Sequence, residues 1–312
     1  MTEGRHLPTD VPVAWSNPTT NHASTGSAAR TRATTTTGLG RPSLPRVGRR
    51  GLAAARASLS ARDLDVLRGV AAHRYLTTRH IEGFWFANHA TALTGARVAR
   101  RVLRRLAAIN VLTNIERRIG GVRAGSASYI WTISPAGDRI LRAEAGGKRT
   151  RQREPGRLFL DHCLEVADAH LDLVRAHRAA ELELVDVQCE PDCWRPFTGL
   201  GGARLVLQPD LYVITGDPTD RAFVNRWFVE IDRGTENPAR LLAKCGYYQA
   251  YRRSGVEQQS GGGFPLVVWV MPDDQHAARL KTSIQRDRDL DARLLRITTP
   301  ARFLDVVKAG AS

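Results

Sequence analysis

The chain has 312 residues, 42% of them hydrophobic and 25% charged, which is long enough for two domains and ordinary for a soluble globular protein. No uninterrupted apolar run approaches the roughly 18 residues of a spanning helix, and the amino terminus lacks the apolar core of a secretory signal. This argues against a membrane protein and sets the expectation of a cytoplasmic one. Forty-six Lys and Arg against 31 Asp and Glu leave a net charge of +15, and the excess lies wholly in the first half. Residues 1–57 carry 8 basic and 2 acidic side chains, residues 58–150 carry 16 and 6, and residues 151–312 carry 22 and 23. A basic module joined to a near-neutral one points to a polyanionic partner, because clustered Arg attracts phosphate and releases its counterions.

Residues 1–57, rich in Thr, Ser, Pro, Gly and Arg, are expected to form a disordered basic tail, either an arm toward a polyanion or a passive solubilising segment. From Leu59 the texture changes. Leu59 to Asp63 reads as a helix start, continued by Leu64, Leu67, Val70 and Ala71 at helical spacing to about Tyr75. Thr77 to Ile81 opens a second helix running into Phe84-Trp85-Phe86. A third is expected from Thr91 to Ile109, with Leu93, Ala96, Ala99, Leu103 and Leu106 on one side and Arg97, Arg100, Arg101, Arg104 and Arg105 on the other. Leu112 to Ile119 and Ser128 to Ile133 read as two strands joined by a Gly-rich tip at Gly120–Gly125, and Ser134 starts a further helix through Leu141.

Three helices followed by a β-hairpin is the order of a winged helix-turn-helix, expected over residues 58–145. In that arrangement the third helix enters the major groove of double-stranded DNA and the wing grips the backbone or minor groove. The candidate DNA-binding residues are Thr91, Thr94, Arg97, Arg100, Arg101, Arg104 and Arg105 on the helix, and Arg117, Arg118 and Arg123 on the wing. A charged helix face is usually just solvated. Here five arginines with no acid between Arg97 and Arg105 would repel one another without a polyanion.

After a polar link at residues 143–157, residues 158–312 read as a helix with a buried stripe at Leu160, Leu164, Ala167, Leu171 and Val174, with Glu165, Asp168 and Asp172 on the neighbouring face. Strands are expected at Leu182–Val187, Arg204–Thr215 and Arg226–Asp232. Then come a helix capped by Asn237 with Pro238 in its first turn, a buried strand at Phe264–Met271, a helix near Asp274–Gln285 and a last strand at Leu294–Ile297. Four cysteines, Cys163, Cys189, Cys193 and Cys245, are too few for a disulfide framework and are expected as free thiols; Cys189 and Cys193 lack a second pair with which to bind structural zinc. His162 and His170 are expected as packing or surface residues.

Alternation along Trp227-Phe228-Val229-Glu230-Ile231-Asp232 puts Phe228, Glu230 and Asp232 on one face, and a paired strand would bring Asp210 beside them. Three hard oxygen donors at a sheet end suit Mg²⁺ or Mn²⁺, and Lys244 on the following helix is suited to a phosphate. The same acids are also common as solvated or salt-bridged features, so both readings stand at this point.

Pro209-Asp210 and Glu230 resemble the motif of the PD-(D/E)XK nuclease superfamily. The resemblance implies an α/β chain, α+β overall, in which the winged helix-turn-helix precedes a restriction-endonuclease-like domain with a mixed central sheet. It implies Asp210, Glu230, Asp232 and Lys244 as catalytic residues and Asp210, Glu230, Asp232 and Asp168 as metal ligands, with Glu165 the alternative to Asp168. The family's lysine normally stands two residues after the acid, where this chain has Asp232.

From Leu59 the chain also resembles the replication-relaxation family of actinobacterial plasmids and integrative elements. The matching pieces are Leu59 to Asp63, Thr77-Thr78-Arg79, Tyr129 to Gly137, Pro209-Asp210, and Phe228 to Glu236 leading to Lys244 and Tyr247-Tyr248. That resemblance implies double-stranded DNA as partner, with a homodimer and replication or transfer proteins as further partners. Three functions follow as alternatives: a metal-dependent DNA endonuclease, a non-catalytic DNA-binding scaffold, and a transcriptional regulator.

Overall fold

The computed structural model describes residues 47–115, 129–146, 155–218, 224–261 and 263–310. Arg117, Arg118, Arg123 and the expected hairpin tip lie outside them. The first elements are α1 (Arg49–Ala57), α2 (Ala61–His73), β1 (Leu76–Thr77), α3 (Thr78–Trp85), α4 (Ala92–Ala108), β2 (Leu112–Ile115), β3 (Ile130–Ile133) and α5 (Pro135–Ala145).

The helix starts follow from side-chain capping of N–H groups that have no partner within the helix. Ser60 and Asp63 form a reciprocal capping box at α2, and Thr77 and His80 do the same at α3. Thr91 Oγ1 accepts from Thr94 N–H at the head of α4, and Ser134 caps α5. β3 lies between β1 and β2, antiparallel to both. Helix α1 corrects the expectation of an irregular tail as far as Ala57. Its Ala-rich sequence has high helix propensity, Leu52 and Ala55 pack on the core, and Arg56 pairs with Glu144 of α5. Leu93, expected on the buried side of α4, is 72% exposed. It sits in the first turn, ahead of the stretch where Ala99, Leu103 and Leu106 contact the core.

The remaining elements are α6 (Arg157–Arg178), β4 (Glu183–Cys189), β5 (Arg195–Thr198), β6 (Arg204–Leu207), β7 (Leu211–Gly216), β8 (Val224–Ile231), α7 (Pro238–Ser254), α8 (Val256–Gly261), β9 (Leu266–Val270), α9 (Asp274–Arg286), β10 (Leu295–Thr298) and α10 (Phe303–Ala309). The main sheet has the order β10-β9-β8-β7-β4 and is mixed. β7 runs antiparallel to both β4 and β8, and β8, β9 and β10 run parallel, linked by α7 and α9. The chain is thus an α/β protein with a mixed central sheet. The single strand expected at Arg204–Thr215 is interrupted at Gln208–Asp210: β6 pairs with β5 in a separate hairpin and β7 joins the main sheet. Pro209, with no N–H to give a ladder, stands at the break.

The alternation read along β8 is the one observed. Phe228 joins Tyr248 and Tyr251 of α7 and Leu280 of α9 on one face, while Trp227, Val229 and Ile231 join Leu173 of α6 and Phe303 of α10 on the other. Helix α6 serves two cores. Val166, Ala169, Leu173 and Ala176 pack on the sheet, and Ala167, Leu171 and Val174 join the core shared with α2, α3 and α4. Arg178 adds hydrogen bonds to the carbonyls of Gly83 and Phe84 at the end of α3, where a cation suits the last turn. No helix among the described residues is long and apolar enough to cross a membrane.

Gly95 lets α4 approach the end of α3, because a Cβ there would run into the Phe86 carbonyl oxygen, which is backbone and cannot swing away. Gly95→Ala is therefore expected to destabilise the fold by about 1–3 kcal/mol, read as a lowered thermal midpoint.

Candidate functional site

The sheet register assembles a row of acids at one end. Leu211 pairs with Val229, so one step further Asp210 lies opposite Glu230, and the Asp210 N–H donates to the Val229 carbonyl at 3.1 Å. Leu211 also pairs with Cys189 on its other side, so the same step brings Glu190 alongside Asp210. Three carboxylates from β4, β7 and β8 thus stand side by side. Asp232 follows β8 immediately, its N–H donating to the Val270 carbonyl and its Oδ2 accepting from Gly234 N–H at 3.0 Å.

Asp210, Glu230, Asp232 and Lys244, singled out from the sequence, line one cleft of about 240 Å³ together with His162 and Glu236. Asp210 is buried; its Oδ2 accepts from Ile231 N–H at 2.7 Å, and its Oδ1 lies 3.1 Å from His162 Nε2. Burial opposes its ionisation, but the His162 hydrogen bond and the Lys244 charge prevail and hold the carboxyl below its ordinary range. Glu230 is 1% exposed, with Lys244 Nζ donating to Oε2 at 2.5 Å and Tyr248 Oη donating to Oε1. Burial pushes its carboxyl up to about 8, against the pull of Lys244. Lys244 is raised above its usual range: burial disfavours its charge, but Glu230 and Asp210 attract it more strongly.

Asp168 is not with these residues. It is 67% exposed and pairs with His80 of α3 at 2.9 Å, and the alternative Glu165 pairs with Arg233. Asp161, Glu165, Asp168 and Asp172 recur at helical spacing along one outward strip of α6, whereas the sheet-facing stripe of Val166, Ala169 and Leu173 continues back to His162. The position expected for Asp168 therefore belongs to His162, which was read from the sequence as a packing or surface residue. Glu190 also escaped sequence reading, since nothing local marks it; Tyr248 stood in a piece that carries the family resemblance but had no role assigned to it. His162 is raised above its usual range: burial lowers it, while the Asp210 hydrogen bond and the Asp210 and Glu190 charges raise it more.

All four cysteines are free and buried. Cys189 lies near His73 and His170, whose rings share a 3.0 Å nitrogen–nitrogen contact. Its Sγ is 3.9 and 3.8 Å from the two nitrogens of His73.

On α4, Thr94, Arg97, Arg100, Arg101, Arg104 and Arg105 are exposed, with Thr91 at the cap. Two of the arginines have acidic partners from other helices, which corrects the expectation of unrelieved repulsion. Arg105 reaches the buried Asp63 at 2.5 Å and the Ser58 carbonyl, and Arg100 approaches Glu82 at 3.7 Å. Arg97, Arg101 and Arg104 make no ion pair among the described residues and leave a basic face open to solvent.

Removing the Lys244 ammonium strands Glu230. Lys244→Met is expected to cost about 2 kcal/mol near pH 9, below the usual value for a fully buried pair because a third of the lysine side chain stays in water. Glu230's raised carboxyl gives stability that is complete below its ordinary 4.5 and lost as pH rises through about 8, so the deficit should shrink toward pH 6. Urea denaturation of both proteins at the two pH values measures it.

No curated protein and no solved structure matches this chain. The family model described as replication-relaxation matches residues 67–267, from within α2 into β9, taking in the basic helix, the acid row and Lys244. That span is more than half of the chain, and the protein belongs to the replication-relaxation family.

Proposed function

We propose that the protein binds duplex DNA in the replication or transfer of a plasmid or mobile element, and that it carries a metal-dependent site for cleaving a phosphodiester. The observation that carries the reading is the convergence of Asp210 and Glu230, opposite one another at a strand end, with Lys244 in a single open cleft. Family membership supports the replication setting.

The donor set fits a hard cation. Asp210, Glu230 and Asp232 offer carboxylate oxygens, and each carboxylate keeps lone pairs beyond the hydrogen bonds it already accepts. Mg²⁺ or Mn²⁺ held there supplies positive charge to a phosphate oxygen at the reacting centre. The protein's own groups have separate tasks. His162 and the Ile231 N–H fix the two oxygens of Asp210, and Tyr248 fixes Glu230. Lys244, a third exposed, offers an ammonium to the phosphate from α7 in place of the lysine that the motif has where Asp232 stands. Duplex binding rests on α2, α3, α4 and the small sheet, in the order of a winged helix, with Thr94, Arg97, Arg101 and Arg104 toward the major groove and Thr91 fixing the helix head. A scaffold without chemistry is the second reading, favoured by the engagement of both Glu230 oxygens by Lys244 and Tyr248.

Nicking of supercoiled plasmid with Mg²⁺ or Mn²⁺ decides between them. Wild type should nick, and Asp210→Ala or Glu230→Ala should lose on the order of a hundredfold in rate; equal nicking by all three, or none by wild type, leaves the scaffold. For DNA binding, Arg97→Ala and Arg101→Ala should each weaken duplex binding and reduce the salt slope by about 1. Arg105→Ala, by breaking the Asp63 pair, should lower thermal stability more than affinity.

A further inference from the structure

Asp210 faces two spaces. One is the cleft with Glu230 and Lys244; the other is a small cavity of about 20 Å³, room for roughly one water-sized ligand, lined by His162, Glu190, Asp210, Arg74, His73 and Cys189. The two spaces share His162 and Asp210 in their walls. A ring nitrogen of His162, an Asp210 oxygen and a Glu190 oxygen lie within 4.8 Å of one another, and His162 Nε2 and Asp210 Oδ1 are only 3.1 Å apart. That separation matches two neighbouring ligands on one ion, with arms of about 2.1–2.2 Å at a right angle. Three unrelated parts of the chain build the cluster: the first turns of α6, the residue after β4, and the residue before β7.

We propose that His162, Glu190 and Asp210 form a mixed nitrogen–oxygen seat for a divalent transition ion, Mn²⁺ in preference to Mg²⁺, on the inner side of Asp210. It rests on the metal-dependent reading above and deepens it by naming the ion class and two ligands outside the motif. Mn²⁺ favours oxygen ligands but accepts an imidazole better than Mg²⁺ does, because Mg²⁺ demands near-ideal oxygen octahedra and holds its waters. The small cavity beside the three side chains leaves space for a solvent ligand. Arg74, 3.5 Å from Glu190, is the cation that an ion bound there would have to displace from the acid.

The full-length protein titrated with Mn²⁺, with the free ion followed by its electron paramagnetic resonance signal, tests this. Wild type should show a site from which Mg²⁺ in about hundredfold excess fails to displace Mn²⁺, and Glu190→Gln should weaken Mn²⁺ by about tenfold or more. His162→Gln keeps a donor toward Asp210 and hence the fold, as an unchanged thermal midpoint would report, and should lose the preference for Mn²⁺ over Mg²⁺. Unchanged Mn²⁺ binding in both variants, or displacement by Mg²⁺ at parity, overturns the seat, whether or not plasmid is nicked. Mn²⁺ bound with the expected dependence on His162 and Glu190 but without nicking upholds the seat and removes only the cleavage reading.

Discussion

Three carboxylates in one row across β4, β7 and β8 set the constraint that the surrounding structure answers. Left to themselves, Glu190, Asp210 and Glu230 would repel at the edge of a low-dielectric core. Each is met by a partner from a different element: Glu190 by Arg74 at the end of α2, Asp210 by His162 of α6, and Glu230 by Lys244 and Tyr248 of α7. The helices on both faces of the sheet, and one from the amino-terminal half, thus converge on one sheet end for the same electrostatic reason. Burial, reinforced by the neighbouring Asp210 charge, is why Glu230 keeps its proton to a higher pH than an ordinary carboxyl.

Much of this was legible in the chain. Ser60, Thr77, Thr91, Ser134 and Asn237 announce helix starts because capping is a local event, decided by the few residues that make the bond. The two-residue period of β8 announced which face Glu230 would take, and Pro209-Asp210 with Glu230 announced the acids. The rest depended on register and packing. Glu190 becomes a neighbour of Asp210 only through a pairing that no local pattern near residue 190 reveals. His162 was in plain view, yet its role is visible only once the stripe through Val166 and Ala169 is known to face the sheet. Asp168 is not beside the acids because, six residues beyond His162, α6 has turned by a net of about 240°, away from the strand ends and toward α3. Likewise, the arginine run of α4 could not disclose that Asp63, about 40 residues earlier, sits beneath Arg105.

The double duty of α6 limits how this architecture can be rearranged. Ala167, Leu171 and Val174 belong to the same core as α2, α3 and α4, while Val166, Ala169 and Leu173 belong to the core of the sheet, so the two halves share a wall instead of meeting across a linker. A different amino-terminal half could not be exchanged for the present one by recombination at the polar link alone. The newcomer would have to supply apolar side chains shaped to an existing strip of the helix and an acceptor for Arg178, and a chain cut there would leave that strip wet on both fragments. Inheritance of the two halves as one indivisible unit is the evolutionary signature that this shared helix leads one to expect.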